Sequence, residues 1–149
     1  MDTQIVVFAL NDERYGLEIS AVYEIIRYQP ITAVPQAPVA VEGVINLRGR
    51  IIPIVDLRTR FGLAPSDASG SSRIVVCDAG SRHVGLIVDA VSEVLMVPAD
   101  AVEPTPEIAV GIDTAYVRGV AKLDDQMIIL LDLEQLFSNT GGVAADLAA

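Results

Sequence analysis

The chain has one cysteine, one histidine and no tryptophan. A single cysteine excludes an internal disulfide, and one cysteine with one histidine cannot supply the soft ligands of a structural zinc site. The glycine-rich phosphate loop, the dinucleotide-binding fingerprint and the serine nucleophile elbow are also absent from the sequence. We therefore expect a protein that is not an enzyme and that binds neither a cofactor nor a metal.

Basic residues are scarce, since 10 Lys and Arg oppose 20 Asp and Glu and leave a net charge of −10. A surface of that sign repels nucleic-acid phosphates and anionic lipid headgroups. The sequence also lacks an apolar run near the ~20 residues of a membrane-spanning helix. Its first residues, MDTQIVVFALNDE, lack the basic start of a signal peptide. We expect a cytoplasmic protein that binds no nucleic acid and does not itself insert into a membrane.

What the sequence does contain is an internal repeat. Ile5–Arg27 aligns without a gap to Ile74–Met96 at an offset of 69 residues, and Gly43–Gly62 aligns to Gly119–Ser138 at an offset of 76 residues. Two copies of one unit predict two similar lobes with a seam between them. The corresponding boundaries are a first lobe at 4–63, a linker at 64–72, a second lobe at 73–138 and a flexible tail at 139–149.

Short apolar runs separated by turns dominate both copies and predict a mainly β fold of small, closed or nearly closed barrels. Pro53 interrupts one of these runs, and because proline cannot donate a ladder hydrogen bond, we expect its strand at a sheet edge or a bulge. The predicted strands are Thr3–Leu10, Tyr15–Ile19, Val44–Leu47, Arg50–Val55, Arg73–Asp78, Arg82–Val88, Val117–Leu123 and Gln126–Leu131.

Short helices are predicted where a good capping residue precedes an apolar stretch. Three aspartates share such positions in the two copies, so capping explains them better than a catalytic carboxylate cluster does. The predicted caps and helices are Asp56 with Leu57–Phe61, Asp132 with Leu133–Phe137, and Ser20 with Ala21–Ile26, with Asp89 as the repeat mate of Ser20.

The stretch VEGVINLRGRIIPIVDLR at Val41–Arg58 closely resembles the signature segment of the CheW family, the adaptors of bacterial chemotaxis arrays. Asp12–Ile25 and Val84–Leu95 resemble the same family, and the resemblance runs from about Gln4 to Phe137. It implies two SH3-like, five-stranded β-barrel lobes related by a pseudo-twofold axis, with short helices.

The resemblance also implies a function. A protein of this family is a non-catalytic scaffold that links the cytoplasmic hairpin tip of methyl-accepting chemoreceptors to the regulatory domain of a CheA-type histidine kinase. By analogy it is a monomer in isolation, is recruited to membrane-associated receptor arrays and alternates there with the kinase in rings. Two alternatives stay open: an adaptor of another chemosensory pathway, such as twitching motility, and a ligand-binding barrel.

The resemblance assigns a receptor-binding groove between the lobes, and an aliphatic groove would suit the apolar stripe of a helical hairpin. Each assigned residue has a simpler alternative, because the apolar ones could be core, the glycine a fold requirement and the arginine a solvated turn residue. The second copy has Asp124 where the first has its arginine, so the fold does not require arginine, which could instead pair with a partner's carboxylate. The assigned residues are Ile19, Val22, Glu24, Ile31, Gly43, Arg48, Val91 and Val94.

Ring contacts with the kinase are implied at Arg73, Glu103, Glu107 and Ile108. Relatives often have a basic residue near the start and an aromatic residue near the end of the segment that begins at Glu103. This chain has Glu103 and Ile108 at those places, so we expect ring contacts that are weaker or paired with different charges.

Overall fold

The computed structural model describes residues 2–11, 13–35, 41–61, 63, 69–78, 83–103, 116–123 and 125–138. The strands within these ranges are β1 (Asp2–Leu10), β2 (Glu13–Glu18), β3 (Val22–Arg27), β4 (Val41–Leu47), β5 (Arg50–Asp56), β6 (Arg73–Asp78), β7 (His83–Val88), β8 (Ala90–Pro98), β9 (Val102–Glu103), β10 (Val117–Leu123) and β11 (Gln126–Leu131). The helices are α1 (Leu57–Arg60) and α2 (Leu133–Ser138), and 3-10 turns lie at Ile19–Ala21 and Ala99–Ala101. The predicted mainly β fold is confirmed.

The strands form two sheets that each combine both copies of the repeat. Sheet A has the order β8-β1-β2-β11-β10-β9, and sheet B has the order β3-β6-β7-β5-β4. The chain crosses from sheet A to sheet B at the Ile19–Ala21 turn and returns at Asp89. The predicted boundaries at 4–63 and 73–138 therefore delimit the two copies of the repeat and not the two sheets, because similar sequences occupy equivalent places in two sheets that exchange strands. Residues 64–68 of the predicted linker and the predicted tail at 139–149 lie outside the described residues.

The repeat nevertheless sets the plan of both sheets. Exchanging repeat mates (β3 for β8, β6 for β1, β7 for β2, β5 for β11, β4 for β10) converts the order of sheet B into that of sheet A. Each sheet contains a parallel strand pair at the equivalent place, β2 with β11 in sheet A and β7 with β5 in sheet B. Sheet A has β9 in addition, and the equivalent contact in sheet B is an isolated bridge between Thr32 and Val44. Two related lobes of five principal strands are thus confirmed.

Three apolar clusters hold the sheets together. The largest, here called the central cluster, joins buried side chains of both sheets, among them Phe8 and Leu17 of sheet A and Val75 and Leu86 of sheet B. It fills the seam, meaning the contact between the two sheets. A smaller cluster lies within each sheet. The first and last strands of sheet B, through Ile26 and Leu47, pack on the same small cluster, so this sheet curls toward closure.

The two predicted helices behind aspartate caps are present. Asp56 accepts a hydrogen bond from the backbone N–H of Arg58 at 3.0 Å, and Asp132 accepts one from the backbone N–H of Gln135 at 3.2 Å. Such caps satisfy N–H groups that a helix leaves without partners in its first turn. The helix predicted at Ala21–Ile26 is wrong, and so is the capping role given to Ser20 and Asp89, because β3 and β8 occupy these positions.

A β-bulge in each of these strands produces the misleading pattern. The pairing of β3 with β6 skips Tyr23, and the pairing of β8 with β1 skips Ser92. One extra residue shifts the in–out alternation of a strand by one position. It therefore places Val22 and Ile25 on one face although they are three residues apart, a spacing that is typical of a helix.

Pro53 lies in an internal strand, and the register shift of the β4–β5 pairing lies between Val41 and Gly43, so neither the predicted edge nor the predicted bulge is observed at Pro53. Strand β5 has β7 on one side and β4 on the other. Val44, which stands opposite Pro53, uses its backbone N–H and C=O for Thr32, at 2.9 Å each. The Val44–Pro53 pair is thus one in which neither backbone donates across the ladder. Proline removes no hydrogen bond there, and pairing with β7 begins only at Ile54.

Gly43 is required where the chain bridges to β4. Its φ is 153°, and a Cβ atom at this position would lie 2.1 Å from the carbonyl oxygen of Thr32 and 2.9 Å from Cγ2 of Ile31. Its repeat mate Gly119 meets β9 in the same way, since a Cβ there would lie 2.9 Å from the carbonyl oxygen of Glu103. These contacts support the reading of Gly43 as a fold requirement.

Asp89 fastens the place where the chain returns to sheet A. Its carboxylate accepts hydrogen bonds from Arg58 Nε at 3.0 Å and Nη2 at 2.6 Å, and from the backbone N–H of Asn11 at 2.8 Å. Partial burial acts to raise the pKa of Asp89, but the Arg58 and Asn11 hydrogen bonds and the Arg58 charge outweigh it and hold that pKa below its ordinary value. The network joins α1, the β1–β2 turn and the start of β8.

Candidate functional site

Arg48 occupies an unusual backbone position in the turn between β4 and β5. Its φ is 51° and that of Gly49 is 87°, the two positive values of a type I′ hairpin turn. Asn46 supports the turn by accepting a hydrogen bond from the backbone N–H of Gly49 at 2.9 Å. Glycine, asparagine and aspartate are the residues that usually occupy such positions. The turn conformation does not favour arginine at this position, so we infer that the Arg48 side chain has a role of its own.

The Arg48 guanidinium forms a two-pronged ion pair with Glu24 of β3. Nη1 donates to Oε2 at 3.1 Å, and Nη2 donates to Oε1. The hydrogen bonds from Arg48 lower the pKa of Glu24, and those to Glu24 raise the pKa of Arg48. The ion pair links the β4–β5 turn, at one edge of sheet B, to β3 at the other edge. The Arg48 side chain is 62% exposed. Two predicted site residues are therefore in contact at the surface.

Apolar side chains rim the seam on β3 and β8. Residues directly opposite each other in a ladder share a face, and Val22, Ile25 and Val91 stand opposite members of the central cluster. Val94 stands opposite Val6, which stands opposite Leu17 of that cluster. We call these four the seam rims: Val22 and Ile25 on β3, and Val91 and Val94 on β8.

In each seam rim, the residue nearer to the point where the chain crosses between the sheets is more buried than the residue farther along the strand. Val22 and Val91 are partly buried and pack on the central cluster, as the core alternative anticipates. Ile25 and Val94, which are repeat mates, are 38% and 48% exposed. Each rim therefore has an inner residue that belongs to the fold and an outer residue that is available to a partner.

Ile19 and Ile31 have different surroundings. Ile19 is 40% exposed, whereas its repeat mate Val88 is fully buried in the central cluster, so the fold does not demand an exposed apolar residue at this place. Ile31 is partly buried and packs on the small cluster of sheet B beside Gly43. Ile19 thus lies at the surface next to β3, and Ile31 serves the interior.

The two predicted ring-contact residues that the structure describes, Arg73 and Glu103, belong to different sheets. Arg73, at the start of β6 in sheet B, donates to the backbone carbonyls of Gly70 at 3.0 Å and Ser72 at 2.8 Å. Glu103 ends β9 in sheet A and pairs with Lys122 at 3.0 Å. Glu107 and Ile108 lie outside the described residues.

Sequence reasoning missed two exposed side chains of β3. Ile25 is the repeat mate of Val94, so the offset of 69 residues that placed Val94 also pointed to Ile25. Tyr23 is 53% exposed and occupies the bulge. Its exposure depends on an irregular pairing with a distant strand, for which the local sequence carries no signal.

Within the described ranges, no group of three or more His, Cys, Asp and Glu residues could hold a metal ion. A search of the same residues finds no helix with the length and apolarity needed to cross a membrane. The candidate site combines the seam rims with the Arg48–Glu24 ion pair.

Known proteins resemble this chain over nearly its whole length. Residues 4–141 match the family of CheW-like domains. A probable chemotaxis protein CheW from Rhizobium etli is 40% identical over 144 residues, covering 97% of this chain and 93% of that protein. The chemotaxis protein CheW of Klebsiella aerogenes is 39% identical over 136 residues, covering 91% and 82%. The crystal structure of the scaffolding protein TtCheW from Thermoanaerobacter tengcongensis superposes with a TM-score of 0.85 at 47% identity, covering 92% and 88%.

Proposed function

Because the chain belongs to the family of CheW-like domains, we propose that it is a non-catalytic chemotaxis scaffold that couples the cytoplasmic tips of chemoreceptors to a CheA-type histidine kinase. The names of its relatives, a chemotaxis protein and a scaffolding protein, support this assignment. Its place of action is the cytoplasmic side of receptor arrays, where it is a monomer until it joins rings with the kinase. The receptors of another chemosensory pathway, such as twitching motility, would use the same surfaces.

The observation that carries the proposal is the exposed ion pair of Arg48 with Glu24 of β3, the strand that also contains the rim residues Val22 and Ile25. An apolar rim buries the stripe of a helical hairpin, and a charged fork beside it fixes register and orientation. Glu24 takes two of the five N–H donors of the Arg48 guanidinium, and the others can donate to a carboxylate of the partner. Ile19 in the turn before β3, Ile25 on β3 and Val94 on β8 supply exposed apolar area. We assign the receptor contact to this combination, with Val22 and Val91 shaping its floor.

Kinase contact is assigned to a separate part of the surface. Glu103, with its exposed ion pair to Lys122 on sheet A, is the described residue best placed to meet a charged partner. Arg73, in sheet B, donates to backbone carbonyls of its own chain and stabilises the turn that precedes β6. Two separate surfaces on one small protein are what a bridging scaffold requires.

A three-component kinase assay tests the proposal. It combines a CheA-type kinase, a receptor cytoplasmic fragment and this protein, with each component withheld in turn. We expect kinase autophosphorylation to rise steeply only when all three are present. Equal activity with and without this protein would overturn the proposal.

A further inference from the structure

Sheet A contains a cavity of about 230 Å³ beside an exposed ion pair. Its walls include the buried side chains of Ile5, Val97 and Leu130. Arg118 and Glu18 line it too, and their side chains are 52% and 36% exposed. The cavity therefore has an apolar interior and a charged margin that faces solvent. Its volume equals that of roughly eight waters, which suits a ligand as small as an amino acid.

Arg118 reaches this margin from a β-bulge. The pairing of β10 with β11 passes from Val117 to Gly119 and skips Arg118. Bulges redirect a side chain and recur beside functional sites. Nη1 of Arg118 donates to Oε1 of Glu18 on β2, which lies on the far side of β11 in sheet A. Glu18 thus takes one of the five N–H donors of the guanidinium, and the others can donate to a ligand.

The first copy of the repeat shows that the fold does not require this ion pair. The pairing of β4 with β5 skips Glu42, so this residue occupies the bulge equivalent to that of Arg118. Ile87 is the repeat mate of Glu18, and it packs on the small apolar cluster of sheet B. Exposed ion pairs contribute little to stability. The charges of Arg118 and Glu18 therefore need a reason other than folding.

We propose that this cavity binds an apolar amino acid as the free zwitterion. Arg118 donates to the carboxylate of the amino acid, Glu18 accepts from its ammonium group, and the aliphatic side chain enters the apolar interior. The four charges then alternate in sign, so the ion pair within the protein does not have to open. None of the residues involved belongs to the proposed receptor or kinase contacts, so the inference stands apart from the scaffold function.

A second cavity of about 300 Å³ also includes Glu18 and Arg118 in its lining, together with Asp132. The carboxylate of Asp132 adds a negative charge there, which would repel the carboxylate of an amino acid. The first cavity lacks this carboxylate among its lining residues. We therefore assign the ligand to the first cavity.

A titration of the full chain with L-leucine, followed through methyl NMR signals, tests the proposal. The signals of Ile5, Val97 and Leu130 should shift with saturation, whereas those of Ile45 and Ile54 in sheet B should not. N-acetyl-leucine lacks the ammonium charge and leucinamide lacks the carboxylate, so each should bind at least about tenfold more weakly. Equal binding of either compound would overturn the zwitterion assignment. Absence of a saturable shift up to about 10 mM leucine would overturn the site.

Substitutions of the ion pair provide the second test. Arg118→Gln and Glu18→Gln should each weaken leucine binding at least about tenfold. Lys122→Gln is the matched control, because Lys122 also lies on β10 and forms an exposed ion pair, with Glu103, but does not line the cavity. It should bind leucine like the wild-type protein, and thermal unfolding should show that all three variants fold. Unchanged binding by folded Arg118→Gln, or an equal loss in Lys122→Gln, would overturn the proposal.

Discussion

Replacing Gly43 by alanine would place a methyl carbon 2.1 Å from the carbonyl oxygen of Thr32. No adjustment of a flexible side chain can relieve this overlap, because the obstructing atom belongs to the backbone. The bridge between Thr32 and Val44, with hydrogen bonds of 2.9 Å in both directions, must therefore open. The substitution therefore acts on the connection that leads into β4, the strand that ends directly before Arg48.

The cost follows from two contributions. Opening the bridge forfeits two backbone hydrogen bonds at about 1 kcal/mol each. A side chain at the φ of 153° of Gly43 adds backbone strain, on the order of 1–3 kcal/mol. The free energy of unfolding should fall by about 4 kcal/mol, a large part of the roughly 5–15 kcal/mol available to a domain. For a chain of this size the midpoint of thermal unfolding should fall by roughly 10 °C.

Thermal and urea unfolding of three glycine variants isolate these contributions. Gly49→Ala carries the strain of a φ of 87° without any overlap, and should cost about 1 kcal/mol. Gly70→Ala meets neither atoms nor a positive φ, and should be neutral or slightly stabilising. If Gly43→Ala unfolds like Gly70→Ala and loses only receptor binding, then Gly43 is a contact residue and the packing argument is wrong.

Three further predictions concern the charge network, the seam rims and the core. Asp89→Asn should lower the free energy of unfolding by about 2 kcal/mol, because it removes the charge that accepts two hydrogen bonds from Arg58. Since the pKa of Asp89 is lowered in the folded state, its contribution is complete above the unfolded-state value of about 4 and is lost as pH falls through the folded value. Urea titrations of both proteins should therefore differ at pH 7 and converge in acid, and a constant difference would contradict the ion-pair account. Ile25→Glu should weaken receptor binding at least about tenfold, because it puts a charge on the apolar rim. The control Met127→Glu, at a residue of sheet A that is 51% exposed, should leave receptor binding unchanged. Equal effects of the two substitutions would show that Ile25 is not part of the site. Burial raises the pKa of Cys77 to about 12, so a thiol reagent should modify it only on unfolding, and rapid reaction of the native protein would contradict its burial.

The strands most readily predicted from sequence are those with an uninterrupted alternation or apolar run. Val117–Leu123 and Gln126–Leu131 are observed with the predicted bounds. Strand β3 was misread because the bulge at Tyr23 gives its apolar residues a spacing of three, which mimics one face of a helix. The assignment of strands to sheets was missed for a different reason. An offset between repeats identifies equivalent strands but not the strands with which each one pairs.

The candidate site likewise has a part that the sequence predicts and a part that it does not. The exchange of Arg48 for Asp124 in the second copy was visible in the sequence and pointed to a role for Arg48. The contact of Arg48 with Glu24 joins the two ends of sheet B, and the stack of Tyr23 on His83 joins strands far apart in the chain. Such contacts depend on how the sheet curls, and local pattern does not encode them.

The most direct test of the central claim is the three-component kinase assay with Arg48→Glu. Arg118→Glu is the matched control, because Arg118 also forms an exposed ion pair, with Glu18 on sheet A, and its side chain is 52% exposed. Both variants should fold like the wild-type protein. The account predicts that Arg48→Glu reduces receptor-dependent kinase activation at least about tenfold, while Arg118→Glu activates normally. Normal activation by folded Arg48→Glu would contradict the account.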